Sequence, residues 1–217
     1  MVYDFHTHSF YSDGVLSPAE LIRRAYVAGY KAIGVTDHAS PANMETIIRE
    51  VVKDCRLAEK FWGITAIAGV ELTHVPAGYI PECASLAKHL GSKLVVVHGQ
   101  TIVEPVDPGT NFAAVSCPEV DILAHPGFIT EEEALLAVKN QVFLEISARA
   151  GHSLTNAHVV NIALKTGAKL IVNSDSHEPS DLLNDKFAQA VALGAGVPAS
   201  QINNILEQNP ILVLKKL

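Results

Sequence analysis

The sequence predicts an α/β fold in one domain, with a parallel sheet covered by helices. Short apolar runs alternate with helical patterns almost throughout, as expected of strands joined by crossover helices. The length, 217 residues, is one that alternating α/β folds and barrels commonly reach around a single core. No low-complexity tract, fixed-period repeat or compositional break marks a linker.

Seven runs read as strands: Val2–His8, Ala32–Thr36, Thr65–Glu71, Lys93–His98, Val120–His125, Val142–Ile146 and Lys169–Asn173. After the first, Ser17-Pro18-Ala19-Glu20 combines an N-cap, proline at the first helical position and a capping-box Glu. Residues 43–61 place Met44, Ile47, Ile48, Val51, Cys55, Ala58 and Phe61 on one stripe, which predicts a helix lying on the sheet. Pro81–Leu90 predicts the next helix. Gly99–Cys117, with Pro105, Pro108 and Gly109, reads as a long loop ending in at most a short helix, and such loops are often functional. Thr130-Glu131-Glu132-Glu133 starts another helix with the same pairing of N-cap and Glu. Asn156–Lys165 and Ser180–Leu193 complete the set.

A content of 48% hydrophobic and 18% charged residues is that of a chain with a packed core. The net charge of −7, 6% aromatics and no basic run longer than Arg23-Arg24 or Lys215-Lys216 argue against an extended nucleic-acid surface. Cys55, Cys83 and Cys117 are isolated, so they read as reduced core residues and not as a disulfide framework or a metal knuckle. The amino terminus shows no leader pattern and no run approaches the ~20 apolar residues of a membrane span. A cytoplasmic protein is the expectation.

Six of the predicted strands end in side chains able to bind metal. The first ends in "DFHTHSFYSDG", with His6, His8 and then Asp13 in the turn; the others end in "VTDH" (His38), "AGVE" (Glu71), "VVVH" (His98), "ILAHP" (His125) and "NSDSH" (Asp175, His177). Only "LEISAR" ends differently. Residues two apart on a strand share a face, which pairs His6 with His8 and Asp175 with His177. In a parallel barrel the carboxyl ends of all strands meet on one rim. Taken singly, each residue has an ordinary structural explanation. Together they would cost several kcal/mol each if buried without partners, and cations remove that conflict. Imidazole and carboxylate suit Zn, Mn or Fe, and a carboxylate can bridge two ions. Asp37, beside His38, points to the opposite face and suits a supporting hydrogen bond.

The ordered set "DFHTHSFYSDG", "GVTDH", "GVE", "VVVHG", "ILAHPG" and "NSDSH" resembles the PHP (polymerase and histidinol phosphatase) metal-dependent phosphoesterases, over essentially the whole chain. The resemblance implies a distorted TIM-like (β/α)7 barrel and up to three divalent ions. Carried over by motif, His6, His8, Glu71 and Asp175 would hold one; Glu71, His98 and His125 a second; Asp13, His38 and His177 a third. Some members have histidine in place of Asp13, which leaves the third ion less fixed.

Three divalent ions and three carboxylates leave about +3 at the rim, enough to neutralise a phosphate dianion. The expected reaction is hydrolysis of a small phosphomonoester, histidinol phosphate being one candidate, by in-line attack of a metal-bound hydroxide with no protein nucleophile. Arg149 is the candidate phosphate grip, because its planar fork matches phosphate oxygens. His152 is a candidate substrate contact or acid, and His74 a candidate pocket residue. His89 and His158 read as solvated. The expected partner is a small phosphorylated metabolite. Three other readings stay open: a phosphodiesterase or exonuclease, a C–N hydrolase of the amidohydrolase type, and a non-catalytic metal-binding module.

Overall fold

Seven parallel strands wind into a nearly closed barrel in the computed structural model, which describes residues 1–217. They are β1 (Val2–Asp4), β2 (Tyr30–Val35), β4 (Thr65–Leu72), β5 (Leu94–His98), β6 (Ile122–Ala124), β7 (Phe143–Ser147) and β8 (Leu170–Asn173), and they neighbour one another in that order. A two-residue strand β3 (His38–Ala39) pairs with the end of β4, His38 opposite Glu71. Every predicted strand is present.

The first strand is shorter than its pattern. Regular pairing stops at Asp4, because buried side chains replace the ladder: Phe5 N–H donates to Asn173 Oδ1 (2.9 Å) and Thr7 N–H to Thr36 Oγ1 (3.2 Å). Beyond that point the chain closes the barrel against the segment after β8. Asp175 N–H donates to the His6 carbonyl at 2.9 Å and His8 N–H to the Ser176 carbonyl at 2.8 Å.

Eight α-helices cover the barrel: α1 (Pro18–Val27), α2 (Met44–Trp62), α3 (Ile80–His89), α4 (Thr110–Ser116), α5 (Glu131–Asn140), α6 (Asn156–Thr166), α7 (Asp185–Gly194) and α8 (Asn209–Lys216). The α2 stripe is buried as predicted, except that Phe61 is exposed. Ser17 caps α1 by accepting from Glu20 N–H. The predicted capping box is incomplete there, since the Glu20 carboxylate accepts from Arg24. The Thr130–Glu133 box at α5 is reciprocal. The helix expected from Ser180 starts only at Asp185, behind a 3-10 turn at Pro179–Asp181. Asp181 is committed elsewhere, accepting from the N–H groups of His177 and Glu178 and tying this turn to the rim.

Helix α8 was not evident in the sequence. Its Val213, with Leu214 and Leu217, packs against Phe5, Ile67, Leu94 and Ile122 and stops the amino-terminal end of the barrel. A larger apolar layer lies between sheet and helices, and all three cysteines are free and buried. Asp121, before β6, is buried between the ammonium groups of Lys88 (2.6 Å) and Lys216 (3.1 Å). The polar cluster occupies the opposite end.

Candidate metal centre

The strand order brings the predicted donors together at the carboxyl rim. His6 and His8 follow β1, His38 lies in β3, Glu71 in β4, His98 ends β5, His125 follows β6, and Asp175 and His177 follow β8. His125 (φ 26°) and Asp175 (φ 55°) are non-glycine residues with positive φ, a backbone state that costs energy and clusters at functional sites. All these side chains are buried except His38, which is about a quarter exposed, and Asp13 in the outer turn, which is about half exposed.

Glu71 is the hub. Its Oε1 lies 3.3 Å from His6 Nε2 and 3.6 Å from His125 Nε2, and its Oε2 lies 2.6 Å from His38 Nδ1. Asp175 Oδ1 is 3.2 Å from His8 Nε2 and 3.7 Å from His6 Nε2. Asp13 Oδ1 reaches His177 Nε2 at 3.1 Å and His38 Nε2 at 3.5 Å. Four sets have donor atoms within 4.8 Å of one another: His8, Asp13, His38 and His177; His98, His125 and His152; His6, Glu71 and His125; and His6, His8 and Asp175.

These residues fit divalent cations. His6 Nε2, both ring nitrogens of His8, Glu71 Oε1 and the Nδ1 atoms of His98 and His125 are buried with no hydrogen-bond partner. Such orphans are expensive. Tetrahedral bonds of about 2.1 Å place neighbouring donor atoms about 3.4 Å apart, which is the spacing found around Glu71, Asp175 and Asp13. An ion at the shared point would satisfy each orphan aimed at it.

Burial opposes protonation of His6, but Glu145, then Glu71 and Asp175, outweigh it and hold its pKa well above the ordinary value. Burial likewise opposes a charge on His38, and Glu71 and Asp13 overcome it, raising the pKa to about 10. His8 goes the other way. Burial, helped by His38 and His6, lowers it to about 4. Burial alone would raise Glu71 and Asp175, yet the surrounding imidazoles, His6 foremost, hold both carboxyls below their usual range.

The closest sets of donor atoms cut across the partition implied by resemblance without excluding it. His98 gathers with His125 and His152, while Glu71 gathers with His6 and His125. His152 is deeper than a rim contact: it is 5% exposed, stacks on His125 at 4.1 Å between ring centroids and bonds Thr101 Oγ1 through Nδ1 at 2.8 Å. Burial, then His125, lowers its pKa to about 4. Unprotonated near neutral pH, it suits a donor to a cation better than an acid.

Arg149 stands at the cavity wall, its Nη1 2.7 Å from His177 Nδ1 and 3.2 Å from the Asp175 carbonyl. His74 is half exposed on the same wall. Asp37 supports the turn that carries Asp13, accepting from Ser9 N–H, Ser9 Oγ and Ser12 Oγ at 2.7–2.8 Å. His158 is half-buried and not fully solvated as expected. Its Nε2 bonds the Ile129 carbonyl at 2.7 Å and its ring meets Phe128.

Two acids escaped the sequence reading. Glu145 is fully buried on β7, with Oε2 2.8 Å from His6 Nδ1 and 2.9 Å from Asn173 Nδ2. The signal was available, since an acid inside the apolar run "FLEIS" needs a buried partner. Glu104 lies on the loop after β5, its Oε2 3.1 Å from His98 Nε2. Nothing in the local pattern marks it. The cavity above these groups measures about 410 Å³, and Arg149 is the one Lys or Arg lining it.

An α/β barrel with this donor set at its carboxyl rim defines the class: a metal-dependent hydrolase. The family model described as the PHP domain matches residues 4–208, so the chain belongs to the PHP family and is a metal-dependent phosphoesterase. It is 47% identical over 218 residues to the uncharacterized protein MJ1295 of Methanocaldococcus jannaschii, covering 100% of both chains. It is 27% identical over 235 residues to a Clostridium novyi protein named "Probable phosphatase", covering 99% of this chain and 94% of that one. Among solved structures, one assigned as histidinol phosphatase from Listeria monocytogenes superposes with a TM-score of 0.60 at 13% identity, over 82% of this chain and 96% of that one. No helix is long and apolar enough to cross a membrane.

Proposed function

We propose that the chain hydrolyses a small phosphomonoester at a centre of three divalent cations. His6, His8, Glu71 and Asp175 would hold one, His98 and His125 with Glu71 the second, and Asp13, His38 and His177 the third. The observation that carries this reading is the set of orphaned, buried donors beneath a cavity of about 410 Å³, a volume suited to a small metabolite. When bound, the cations supply positive charge for phosphoryl oxygens and acidify water to near neutral pH.

The protein's own groups bind and orient. The Arg149 guanidinium donates to the Asp175 carbonyl, which leaves the rest of its fork for a phosphate oxygen at low entropic cost. Glu71 faces four imidazoles and keeps them in register. The Thr73 hydroxyl on the cavity wall is committed to His38 and Glu71, which withholds it from attack and leaves that role to water. A monoester is favoured over a nucleic-acid end because one guanidinium, without a basic stripe, fits a single dianion.

The test is a screen of phosphorylated metabolites with added Mn, Zn or Fe, with Glu71→Ala as the inactive control. In oxygen-18 water the label is expected in the phosphate; label in the alcohol would refute attack at phosphorus. Faster cleavage of bis(p-nitrophenyl) phosphate than of the monoester would replace this reading by a phosphodiesterase.

A further inference from the structure

The loop between β5 and α4 reaches into the cluster from the solvent side, and its seat is built. Gln100 N–H donates to Asn111 Oδ1 at 2.9 Å, Asn111 N–H returns a bond to Gln100 Oε1 at 3.1 Å, and Asn111 Nδ2 donates to the Pro126 carbonyl at 2.7 Å. The loop also meets the β6 loop backbone to backbone. A Cβ on Gly127 would lie 1.9 Å from the Gln100 carbonyl oxygen, and one on Gly99 2.2 Å from that of Ala124. Neither glycine can be replaced without moving the loop.

From this seat the loop touches His152 twice. Thr101 Oγ1 pairs with Nδ1 at 2.8 Å, which turns Nε2 toward the cluster, and Glu104 Oε1 lies 3.4 Å from that Nε2. The other oxygen of Glu104 is 3.1 Å from His98 Nε2 and 3.7 Å from His74 Nε2. The carboxylate therefore bridges two buried imidazoles and approaches a third. No Lys or Arg pairs with it, so it is not a surface ion pair.

We infer that Glu104 and His152 are ligands of the cation held by His98 and His125, so that the β5 loop closes that ion's coordination from outside. The inference rests on the metal-centre reading above. Donor separations of 3.1 and 3.4 Å match those of atoms sharing one ion, about 3.4 Å for tetrahedral geometry. His98, His125 and His152 bring no negative charge; Glu104 adds to that of Glu71 from the outer side. At 37% exposure it is the one ligand of this cation that solvent reaches, the others being buried.

The experiment strips the full chain with a chelator, then titrates it with Zn²⁺ or Mn²⁺ by calorimetry and counts bound metal by mass spectrometry. Glu104→Gln is expected to weaken one class of bound cation by at least about tenfold, leaving the other ions unchanged. Glu82→Gln, at an exposed position on α3, removes the same charge and is expected to change nothing. Glu104→Asp keeps the charge on a shorter arm and is expected to lose less than the amide. Bound Co²⁺ provides a spectroscopic readout, because losing an oxygen ligand alters its visible absorption. Unchanged count, affinities and Co²⁺ spectrum in Glu104→Gln overturn the inference. Failure of the wild-type chain to bind any cation overturns the metal-centre reading itself, so the two failures are distinguishable.

Discussion

His6 Nδ1 lies 2.8 Å from Glu145 Oε2, and neither side chain reaches solvent. The contact keeps a proton on Nδ1 and aims Nε2 at Glu71 and Asp175, so that Nε2 is the nitrogen that gives up its proton to a cation. Asn173 and the His125 N–H share the same carboxylate, so one buried acid ties together three strand ends and orients His6 and His125 among the donors. Glu145→Gln retains the shape and loses the charge. Metal affinity is expected to fall about 10- to 100-fold, measured by equilibrium dialysis against Zn²⁺.

Glu71→Ala removes the carboxylate that faces His6, His8, His38 and His125. The purified variant is expected to retain at least one cation fewer per chain and to lose more than about 100-fold in turnover. Metal analysis and a phosphatase assay on one preparation check both. Wild-type metal content would contradict the bridging role.

Arg149→Ala is expected to lower kcat/KM about 10- to 100-fold, the loss of about 1.5–3 kcal/mol in charged hydrogen bonds. Arg149→Lys should recover only part of it, because an ammonium cannot span two phosphate oxygens while also holding the Asp175 carbonyl. Bound metal should stay at the wild-type level in both. Saturation kinetics with metal analysis make the comparison.

Cation affinity should rise with pH. Glu145, Glu71 and Asp175 raise the pKa of His6, and Glu71 and Asp13 raise that of His38 to about 10, each against the effect of burial. Both imidazoles therefore carry protons at pH 7 that an incoming cation must displace. Each proton released steepens affinity by about tenfold per pH unit. His8, lowered to about 4 mainly by burial, releases none. Titrations at pH 6, 7 and 8 in buffers of different ionisation enthalpy count the protons; a flat profile would refute the assignment.

Asp121 tests the fold apart from the site. Asp121→Ala leaves Lys88 and Lys216 without their shared carboxylate, and a loss of about 3 kcal/mol is expected in urea unfolding. Activity per folded molecule should not change, because Asp121 lies at the barrel end opposite the cavity.

Much of this site was readable in advance. His6, His8, Glu71, His98, His125, Asp175 and His177 each follow or end an apolar run, and a parallel sheet sends such positions to one rim. Glu145 was hidden because it sits within a run instead of at its end. The break after Asp4 was hidden for a related reason: Asn173 and Thr36 replace the ladder partners there, and they lie on other strands. Helix α8 is short, and its apolar residues acquire meaning only against the barrel end they cover.

The sequence by itself determined the alternation of strands and helices, the identity of nearly all the donors and the strand end on which each one sits, since these follow from local periodicity and residue chemistry. Only the tertiary structure decided which donors face one another: that His98 gathers with His125 and His152, that Glu145 seats His6, and that Glu104 swings in beside His98. Those relationships join residues far apart in the chain, and their distances are set by the closing of the barrel and the packing of its loops, which no local pattern encodes.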